Sequence, residues 1–319
     1  MAAPGSDLSA LIRRLQQAKH ILLIAHVSPD SDAMGSLLGL AGVLRRLGKN
    51  VTPSCADAIH DRFDLLPGRE EVVTQANGAF DLVVALDCGD EPRLGAIWTS
   101  LSAPRPFLVN IDHHISNTRF GQINWVEPSA ASTSEMVLQI IDQLGLPLTQ
   151  EVATCLLYGI VGDTLGFRTP NTTARQLEYA GRCMEAGASL YESIDQQFNR
   201  RSRALVCVWG KAIDAMQIKN HIAYTAISKA MRDACGMGVS DLNLSSFLLS
   251  MNEVDRAAVL VEKDDGRVEI SLRAKRGHNV SNAAVALGGG GHPLAAGATI
   301  DGPLDSAVKQ VLLALKQHT

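Results

Sequence analysis

Runs of consecutive apolar residues, rather than alternating ones, mark the strands predicted in the first half of this chain. The strands predicted from such runs cover residues 21–25, 81–86 and 107–111, and a shorter one covers 51–53; within them only Asp81, Asn110 and Thr52 are polar. A continuous apolar run bounded by turn residues is typical of a strand that is buried on both faces, as in a parallel sheet. We therefore predict a sheet that is covered on both sides.

Helical spacing of apolar residues fills the segments between and after these runs. The predicted helices cover residues 8–18, 32–47, 132–144, 150–161 and 173–186. Alternation of strands and helices predicts an α/β fold with a doubly wound, mainly parallel sheet. Ligands bind outside the carboxyl ends of the strands in such a sheet, so residues at those ends are the first candidates for a site.

The pattern changes after about residue 190, where an Arg-rich segment with helical spacing precedes shorter strands and helices. The predicted strands cover 215–218, 222–227, 257–262, 267–272 and 298–300, and the predicted helices cover 242–251 and 304–316. This order is typical of a smaller mixed α+β domain. We predict a first domain over residues 1–190, a linker helix region over 191–208 and a second domain over 209–319.

The composition favours a small anionic substrate over long nucleic acid. The chain of 319 residues has a formal net charge of −4, and aromatic residues make up 4% of it. Long duplexes are bound by basic surfaces, and long single strands by stacked aromatic rings.

The first residues do not resemble a signal peptide, and no apolar run reaches the roughly 20 residues of a membrane span. Six dispersed cysteines without a Cys-x-x-Cys pair complete the prediction of a cytoplasmic protein with no membrane partner.

Four clusters of acidic and histidine residues stand at the ends of predicted elements in the first domain. The clusters are His26, Asp30 and Asp32; Asp87 and Asp90; Asp112, His113 and His114; and Asp163. Three clusters follow strands and the fourth ends a helix, so a parallel sheet would bring them to one edge. Carboxylate and imidazole ligands together suit Mn²⁺ and disfavour Ca²⁺. The sequence predicts a binuclear metal site of the kind that activates water for attack on phosphorus.

A glycine run is the candidate for substrate binding in the second domain. The run Gly288–Gly291 allows close approach of the backbone to a ligand, and His292 adds a ring donor. Arg273, near the end of a predicted strand, is suitably placed to hold a phosphate with its guanidinium group. The run does not follow a strand as a Gly-x-Gly-x-x-Gly motif should, so a Rossmann dinucleotide site is disfavoured.

As a set, these motifs resemble those of the DHH phosphoesterase superfamily. Its four motifs are matched by His26-x-x-x-Asp30-x-Asp32, by Asp87 after an apolar strand, by Asp112-His113-His114 and by Gly162-Asp163-Thr164. The segment from Gly288 to Gly297 resembles the glycine-rich signature of the DHHA1 substrate-binding domain. The resemblance covers essentially the whole chain, and the two halves together resemble the nanoRNase and pAp-phosphatase group of bifunctional oligoribonucleases.

The resemblance implies a role for each residue of the clusters. One metal ion would be held by His26 and Asp30 and the other by Asp32, His113 and Asp163, with Asp87 bridging both. His114 would contact the phosphate or aid proton transfer, which makes His114 and Asp87 the catalytic candidates. Asp112 would orient a histidine through its ring N–H. Asp90 is either a further orienting residue or a turn residue.

The resemblance also implies the ligands of the protein. In the second domain Arg273 and His292 would hold the phosphate or nucleotide remote from the metals, with contributions from Gly289, Gly290, Gly291, His278 and Asn279. The cofactors would be two Mn²⁺ ions, for which Mg²⁺ or Co²⁺ could substitute. The partners would be short RNA or small phosphorylated nucleotides, and the family suggests a homodimer.

The implied function is Mn²⁺-dependent hydrolysis of short oligoribonucleotides, of 3′-phosphoadenosine 5′-phosphate (pAp), or of both, to mononucleotides. Hydrolysis of cyclic dinucleotides or linear pApA is the alternative. Inorganic pyrophosphatase is disfavoured, since the second domain of that group is dense in Lys and Arg and lacks a Gly-Gly-Gly-His segment. A non-catalytic nucleotide-binding protein stays open, and turnover with any metal would exclude it.

Overall fold

The structure, a computed structural model, describes residues 6–238 and 243–318 of the chain. The chain forms two units, divided between Arg200 and Arg201, and each unit has its own sheet. The division falls within the segment that the sequence marks as a linker, while the domain limits at 190 and 209 stay predictions.

Five parallel strands form the sheet of the first unit. They are β1 (His20–Ala25), β2 (Asn50–Ser54), β3 (Leu82–Leu86), β4 (Phe107–Asp112) and β5 (Ile123–Val126). Their order is β2-β1-β3-β4-β5, so the chain winds outward in two directions that part between β1 and β3. A doubly wound sheet binds its ligands at this kind of switch point. The predicted α/β class of the first domain is confirmed.

Helices cover this sheet unequally on its two faces. They are α1 (Ser6–Gln17), α2 (Ser31–Arg46), α3 (Gly95–Thr99), α4 (Thr133–Leu144), α5 (Gln150–Asp163), α6 (Ala174–Glu185) and α7 (Leu190–Ile194). Ile21 and Leu23 of β1 belong to the larger core with α1, α2, α4 and α5, whereas Leu22 and Ile24 belong to a smaller core with α3. Both faces of β1 are therefore buried, which explains its continuous apolar run.

Helices α2 and α5 approach each other closely because glycines lie at their contact. A Cβ atom at Gly35 would lie 2.5 Å from the carbonyl oxygen of Cys155 and 2.9 Å from the backbone nitrogen of Gly159. Only a residue without a side chain fits there. The close approach brings the first turn of α2, which carries Asp32, toward the last turn of α5, which ends at Asp163.

A mixed sheet forms the centre of the second unit. Its strands are β6 (Gln217–Lys219), β7 (Ile222–Ile227), β8 (Arg256–Glu262), β9 (Val268–Ala274), β10 (Gly290–His292) and β11 (Ala295–Ile300). Their order is β10-β11-β9-β8-β7-β6, and within it β7 and β8 are parallel while the other neighbours are antiparallel. This confirms the predicted mixed α+β class.

Helices cover both faces of the mixed sheet. They are α8 (Arg203–Asp214), α9 (Lys229–Cys235), α10 (Leu244–Leu248), α11 (Ser281–Ala286) and α12 (Leu304–Gln317). Helices α11 and α12 share one core with the sheet, and α8 and α10 share another on the opposite face. Among the described residues, no helix combines the length and the apolar character needed to cross a bilayer.

Two predicted helices differ from the structure. The helix predicted over 191–208 is interrupted: α7 leads into a π-helical turn (Asp195–Asn199), and α8 begins afresh at Arg203. Ser202 causes the new start, since its hydroxyl caps α8 by accepting a hydrogen bond of 3.1 Å from the N–H of Leu205. The helix predicted over 242–251 covers only Leu244–Leu248, and its residue 242 lies outside the described residues.

Two of the six dispersed cysteines form a disulfide bond. Cys207 of α8 and Cys235 of α9 form a disulfide with Cα atoms 5.7 Å apart, and their separation of 28 residues gives no sign of it in the sequence. The other four cysteines, Cys55, Cys88, Cys155 and Cys183, are free and buried.

Candidate metal centre

Asp87 is the point on which the predicted clusters converge. It follows β3 directly, its φ of 59° lies in the left-handed region, and its side chain is 1% exposed. Three imidazole nitrogens surround its carboxylate. His26 Nε2 lies 3.6 Å from Oδ2, while His113 Nε2 and His114 Nδ1 lie 3.5 and 3.6 Å from Oδ1. Aspartate is among the few residues that tolerate this backbone region, and strained positions of this kind cluster at functional sites.

His26 and Asp30 form one side of the cluster. His26 follows β1, and its ring Nδ1 lies 2.7 Å from the carbonyl oxygen of Val27. We assign a ring proton to Nδ1, so Nε2 is the nitrogen that faces Asp30 Oδ2 at 3.8 Å and could bind a metal ion. Asp30 caps α2, since its Oδ1 accepts hydrogen bonds of 3.0 Å from the N–H groups of Asp32 and Ala33.

Asp32, His113 and Asp163 form the other side. His113 Nε2 lies 3.1 Å from Asp163 Oδ2 and 4.0 Å from Asp32 Oδ2. Asp32 is fully buried, and its carboxylate accepts hydrogen bonds from the N–H groups of Thr133 at 2.5 Å and Ser134 at 2.9 Å. These donors belong to the first turn of α4, so the partial positive charge of a helix N-terminus stabilises the buried carboxylate.

Asp112 holds His114 in place. Its Oδ1 lies 2.7 Å from His114 Nδ1 and accepts a hydrogen bond of 2.9 Å from the N–H of His113. Its Oδ2 accepts a further hydrogen bond of 2.5 Å from the side chain of Asn117. With Nδ1 engaged by Asp112, Nε2 of His114 remains for another partner.

Burial and mutual contacts shift the pKa values within the cluster. Burial by itself would lower the pKa of His26, but the nearby carboxylates of Asp30 and Asp87 raise it to about 10. Burial raises the pKa of Asp32, and the charges of Asp87 and Asp163 raise it further. Burial would also raise the pKa of Asp87, yet the nearby imidazoles of His113 and His26 hold it below its ordinary value. The buried carboxylates thus depend on positive charge beside them.

The donor set fits divalent cations. Three sets of side chains bring one ligand atom each to within 4.8 Å of one another; they are His26, Asp30 and Asp87; Asp32, His113 and Asp163; and Asp87, His113 and His114. Carboxylate oxygens with imidazole nitrogens, and no thiol among them, suit Mn²⁺ and similar ions. Cations would also relieve the repulsion among Asp32, Asp87 and Asp163, which are close enough to affect one another's pKa.

Sequence reasoning missed several side chains that support the cluster. Thr133 Oγ1 donates a hydrogen bond of 3.2 Å to Asp87 Oδ1, although residues 132–134 had only been assigned to a helix. Arg93 Nη2 lies 2.9 Å from His26 Nδ1. The same nitrogen lies closer, at 2.7 Å, to the carbonyl oxygen of Val27. Arg93 therefore brings a positive charge beside His26, and it would donate a hydrogen bond to Nδ1 only in the other tautomer of the ring. Asp90 is a turn residue, since its Oδ1 accepts from the N–H of Arg93 at 3.1 Å and caps the 3₁₀ turn Glu91–Leu94.

Two of the predicted substrate-binding residues share one row of the second sheet. Ala295 of β11 pairs with Arg273 of β9 on one side and with His292 of β10 on the other. Directly paired residues of antiparallel strands present their side chains to the same face. The register therefore places Arg273 and His292 on one face, about 10 Å apart across two strand spacings.

Within the glycine run, packing requires glycine at two positions and does not require it at a third. A Cβ atom at Gly289 would collide with the carbonyl oxygen of Gly297, and one at Gly291, where φ is 137°, would lie 2.6 Å from the Cα atom of Ala296. Nothing lies within 4 Å of a Cβ atom at Gly290, whose φ is not positive. The fold thus requires glycine at 289 and 291 but not at 290.

His278 and Asn279 lie in the turn after β9. His278 Nε2 is 3.8 Å from Asp255 Oδ2. Asn279 Oδ1 accepts hydrogen bonds of 2.8 Å from both the N–H and the hydroxyl of Ser281, so it holds the first residue of α11. The side-chain oxygen of Asn279 is therefore engaged in local structure.

Comparisons with known proteins match the chain in the order of its two units. The N-terminal domain of the DHH family matches residues 20–160, and the DHHA1 domain matches residues 220–318. The chain is similar to the bifunctional oligoribonuclease and PAP phosphatase NrnA of Thermus thermophilus, with 35% identity over 93% of this chain and 90% of that protein. The protein of the same name from Bacillus subtilis is 30% identical over 91% of this chain and 92% of its own length.

A solved structure shares the fold of the whole chain. An exopolyphosphatase-related protein from Bacteroides fragilis superposes with a TM-score of 0.91, covering 98% of this chain and 96% of its own, at 23% sequence identity. At that identity the likeness concerns the fold alone.

A carboxylate and histidine cluster at the switch point of a parallel sheet, in a chain that matches the DHH and DHHA1 domains, defines a hydrolase that acts on phosphoester bonds. Phosphoesterases of this class depend on metal ions. The chain belongs to the DHH/DHHA1 phosphoesterase superfamily and, within it, to the group of bifunctional oligoribonucleases and PAP phosphatases. The family prediction made from the motifs is confirmed.

Proposed function

We propose that this protein hydrolyses short oligoribonucleotides and pAp to mononucleotides, with Mn²⁺ as its metal. The observation that carries the proposal is the cluster around Asp87, where carboxylates and imidazoles from separate segments lie within ligand distance of one another. Membership of the oligoribonuclease and PAP phosphatase group supports the substrate class. The low aromatic content of 4% agrees with short rather than long chains as substrates.

Two ions match the donor sets of the cluster. We assign one ion to His26 and Asp30 and the other to Asp32, His113 and Asp163, with Asp87 between them. Asp87 suits the bridging position, because its Oδ2 lies near His26 and its Oδ1 near His113. When bound, the two ions would supply a water of lowered pKa and neutralise the phosphoryl oxygens.

We assign His114 to the reacting phosphate. Its side chain is 28% exposed, whereas Asp87 and Asp32 are buried, so a ligand can reach it. Asp112 fixes the ring through Nδ1, which leaves Nε2 to donate to a phosphoryl oxygen or to pass a proton to the leaving oxygen.

The second unit would hold the part of the substrate that does not react. We assign Arg273 and His292 to a remote phosphate or nucleotide, supported by their shared row in the sheet. Backbone at Gly289, Gly290 and Gly291 would lie against the ligand, and His278 and Asn279 would contribute from the neighbouring turn. Positioning of the substrate is a large part of catalysis in such a reaction. We further propose a cytoplasmic homodimer, which light scattering after gel filtration would test.

A chromatographic product assay tests the proposal. The full-length protein with Mn²⁺ would be offered pApA, an adenylate pentamer, pAp and cyclic di-AMP, beside the variant Asp87→Asn. Asparagine keeps the shape of the side chain and tolerates a positive φ, so the variant removes mainly the charge. Asp214→Asn is the matched control, because Asp214 is exposed at the end of α8.

The expected result is release of AMP from pApA, the pentamer and pAp by the wild type and the control, with none from Asp87→Asn. A wild-type rate in Asp87→Asn would overturn the assignment of the centre. Faster turnover of cyclic di-AMP than of the other three would replace the substrate class with cyclic dinucleotides. Absence of turnover in all proteins with every metal tried would leave a binding role.

A further inference from the structure

A cavity of about 640 Å³ lies in the second unit, beside α12. Its walls are the turn between β6 and β7, the first residue of β8, the turn after β9 and one face of α12. A volume of this size is typical of sites for small organic ligands. The cavity is formed by residues other than those of the cluster around Asp87, and His278 alone among the residues assigned to substrate borders it.

Helix α12 contributes to the cavity with a face that adjoins its core face, since Leu312 also packs against the core. The core face consists of buried Ala307, Val311, Ala314 and Leu315. The cavity face consists of Lys309, Leu312, Leu313 and Lys316. Spacings of three and four residues place these four side chains on one side of the helix, with two leucines between two lysines. Leu313 is 54% exposed, so its side chain is accessible to a ligand in the cavity.

The opposite wall is a turn held in a strained conformation. Asn220 and His221, between β6 and β7, have φ values of 51° and 59°, which glycine would adopt at lower cost. The carbonyl oxygen of His221 accepts a hydrogen bond of 2.8 Å from the N–H of Asp255, and this pins the turn to the segment before β8. Lys219 and Asn220 line the cavity from this fixed turn.

The charge of the lining is strongly positive. Lys219, Lys309, Lys316, Arg256 and His278 contribute basic groups, and among the described lining residues none is acidic. The second unit carries 14 Lys and Arg against 11 Asp and Glu, whereas the first carries 15 against 22. The lining thus favours an anion in a protein that is acidic as a whole.

We propose that this cavity binds a free nucleoside monophosphate. Lys219, Lys309 and Lys316 supply the positive charge that attracts the phosphate, and the nucleoside packs against Leu312 and Leu313. The combination of cationic and aliphatic lining favours a ligand that has both an anionic group and an uncharged organic part. This inference does not rest on the proposed reaction, because it concerns binding at residues outside the metal centre.

Equilibrium binding of AMP to the full-length protein tests the site. Calorimetric titrations in EDTA remove any binding that needs metal ions at the centre. The double variant Lys309→Gln/Lys316→Gln is expected to bind AMP about tenfold or more weakly than the wild type. Both lysines are exposed and glutamine is a good helix former, so the fold is retained. Lys211→Gln, an exposed lysine of α8 outside the cavity, is expected to bind as the wild type does.

Two further readouts locate and characterise the site. Adenosine is expected to bind more weakly than AMP by a similar factor, since it lacks the phosphate. Photolabelling with 8-azido-AMP in EDTA is expected to mark peptides from α12 or from the β6–β7 turn. Equal affinity of the double variant and the wild type, labelling confined to other peptides, or no AMP binding by the wild type in EDTA would each overturn the proposal.

Discussion

Several features of Asp87 are each unfavourable for the stability of the folded protein. Its carboxylate is 1% exposed, its φ is positive, and Asp32, another buried carboxylate, lies close enough to affect its ionisation. A backbone conformation of this kind costs about 1–3 kcal/mol and persists only where the surroundings compensate. The three imidazoles around the carboxylate offset part of the cost, and bound cations would offset more. The residue makes physical sense as a ligand rather than as a structural group.

Asp112→Asn tests the positioning of His114. Asparagine retains the shape but no longer fixes the imidazole by charge, so kcat is expected to fall about 10–100-fold. Mn²⁺ affinity should change little, because His114 is assigned to the phosphate. Steady-state rates over a Mn²⁺ titration measure both quantities. The opposite result, an unchanged kcat at saturating Mn²⁺ with a weakened Mn²⁺ affinity, would show that Asp112 positions His113 instead. Asp112 also accepts a hydrogen bond from the backbone N–H of His113.

At the residue level the sequence predicted members of the cluster and missed their supports. His26, Asp87 and Asp112 stand at strand ends, which a parallel sheet must bring to one edge. Thr133 and Arg93 reach the cluster through the placement of a helix start and a 3₁₀ turn, which depends on tertiary packing. The local sequence around Thr133 and Arg93 does not predict these positions.

The start of α4 meets the side of α5 at Gly159. A Cβ atom there would collide with Ser134 Oγ and would lie 2.9 Å from Asp32 Oδ1. Ser134 belongs to the turn whose N–H groups hold the carboxylate of Asp32. The glycine therefore sets the distance between the helices and also the position of a predicted ligand.

Gly159→Ala is expected to abolish activity and to destabilise the first unit by about 1–3 kcal/mol through overpacking. Gly181→Ala is the matched control in α6, where a Cβ atom would meet nothing within 4 Å. The control should stabilise the protein by about 0.5–1 kcal/mol, because alanine favours the helix. Denaturant unfolding and the product assay measure the two effects. Full activity of Gly159→Ala would contradict the packing argument.

Substitutions at Gly289 and Gly290 distinguish a glycine that the fold requires from one that substrate binding would require. Gly290→Ala meets no neighbouring atom, so stability should be unchanged, while KM for pApA should rise about tenfold or more if backbone approaches the ligand there. Gly289→Ala should instead lower the stability of the second unit by about 1–3 kcal/mol, because its Cβ collides with backbone. Thermal unfolding and Michaelis kinetics distinguish the two. A Gly290→Ala variant with wild-type KM would remove Gly290 from the substrate site.

The long elements were predicted, whereas several of the short ones were not. The runs at β1, β3 and β4 are almost entirely apolar, because both faces of each strand are buried, and this gives a strong signal. Strand β5 has four residues and α3 has five, too few to show a period. The short helices α9 and α11 were missed for the same reason.

At the scale of the whole molecule, the two units differ in charge and each has its own core. The first unit has seven more acidic than basic residues and concentrates several in one buried cluster, whereas the second has three more basic than acidic. The motifs were sufficient to predict the family, and with it the order of the two domains. A buried excess of carboxylates nevertheless makes the stability of the first unit depend on what it binds.

Mn²⁺ should therefore stabilise the first unit and leave the second unchanged. A ligand at 100 times its Kd adds about 2.7 kcal/mol to the free energy of unfolding, which corresponds to a Tm increase of about 5–10 °C for a unit of this size. Scanning calorimetry with and without EDTA measures the increase, and hydrogen exchange assigns each transition to its unit. In Asp163→Asn the metal-free protein should be at least as stable as the wild type, because the raised pKa of Asp163 means that its negative charge is unfavourable in the folded protein, and the increase with Mn²⁺ should be lost. Asp214→Asn should keep the increase. Mn²⁺ stabilisation that persists in Asp163→Asn, or that appears in the second unit, would show that the ion binds elsewhere.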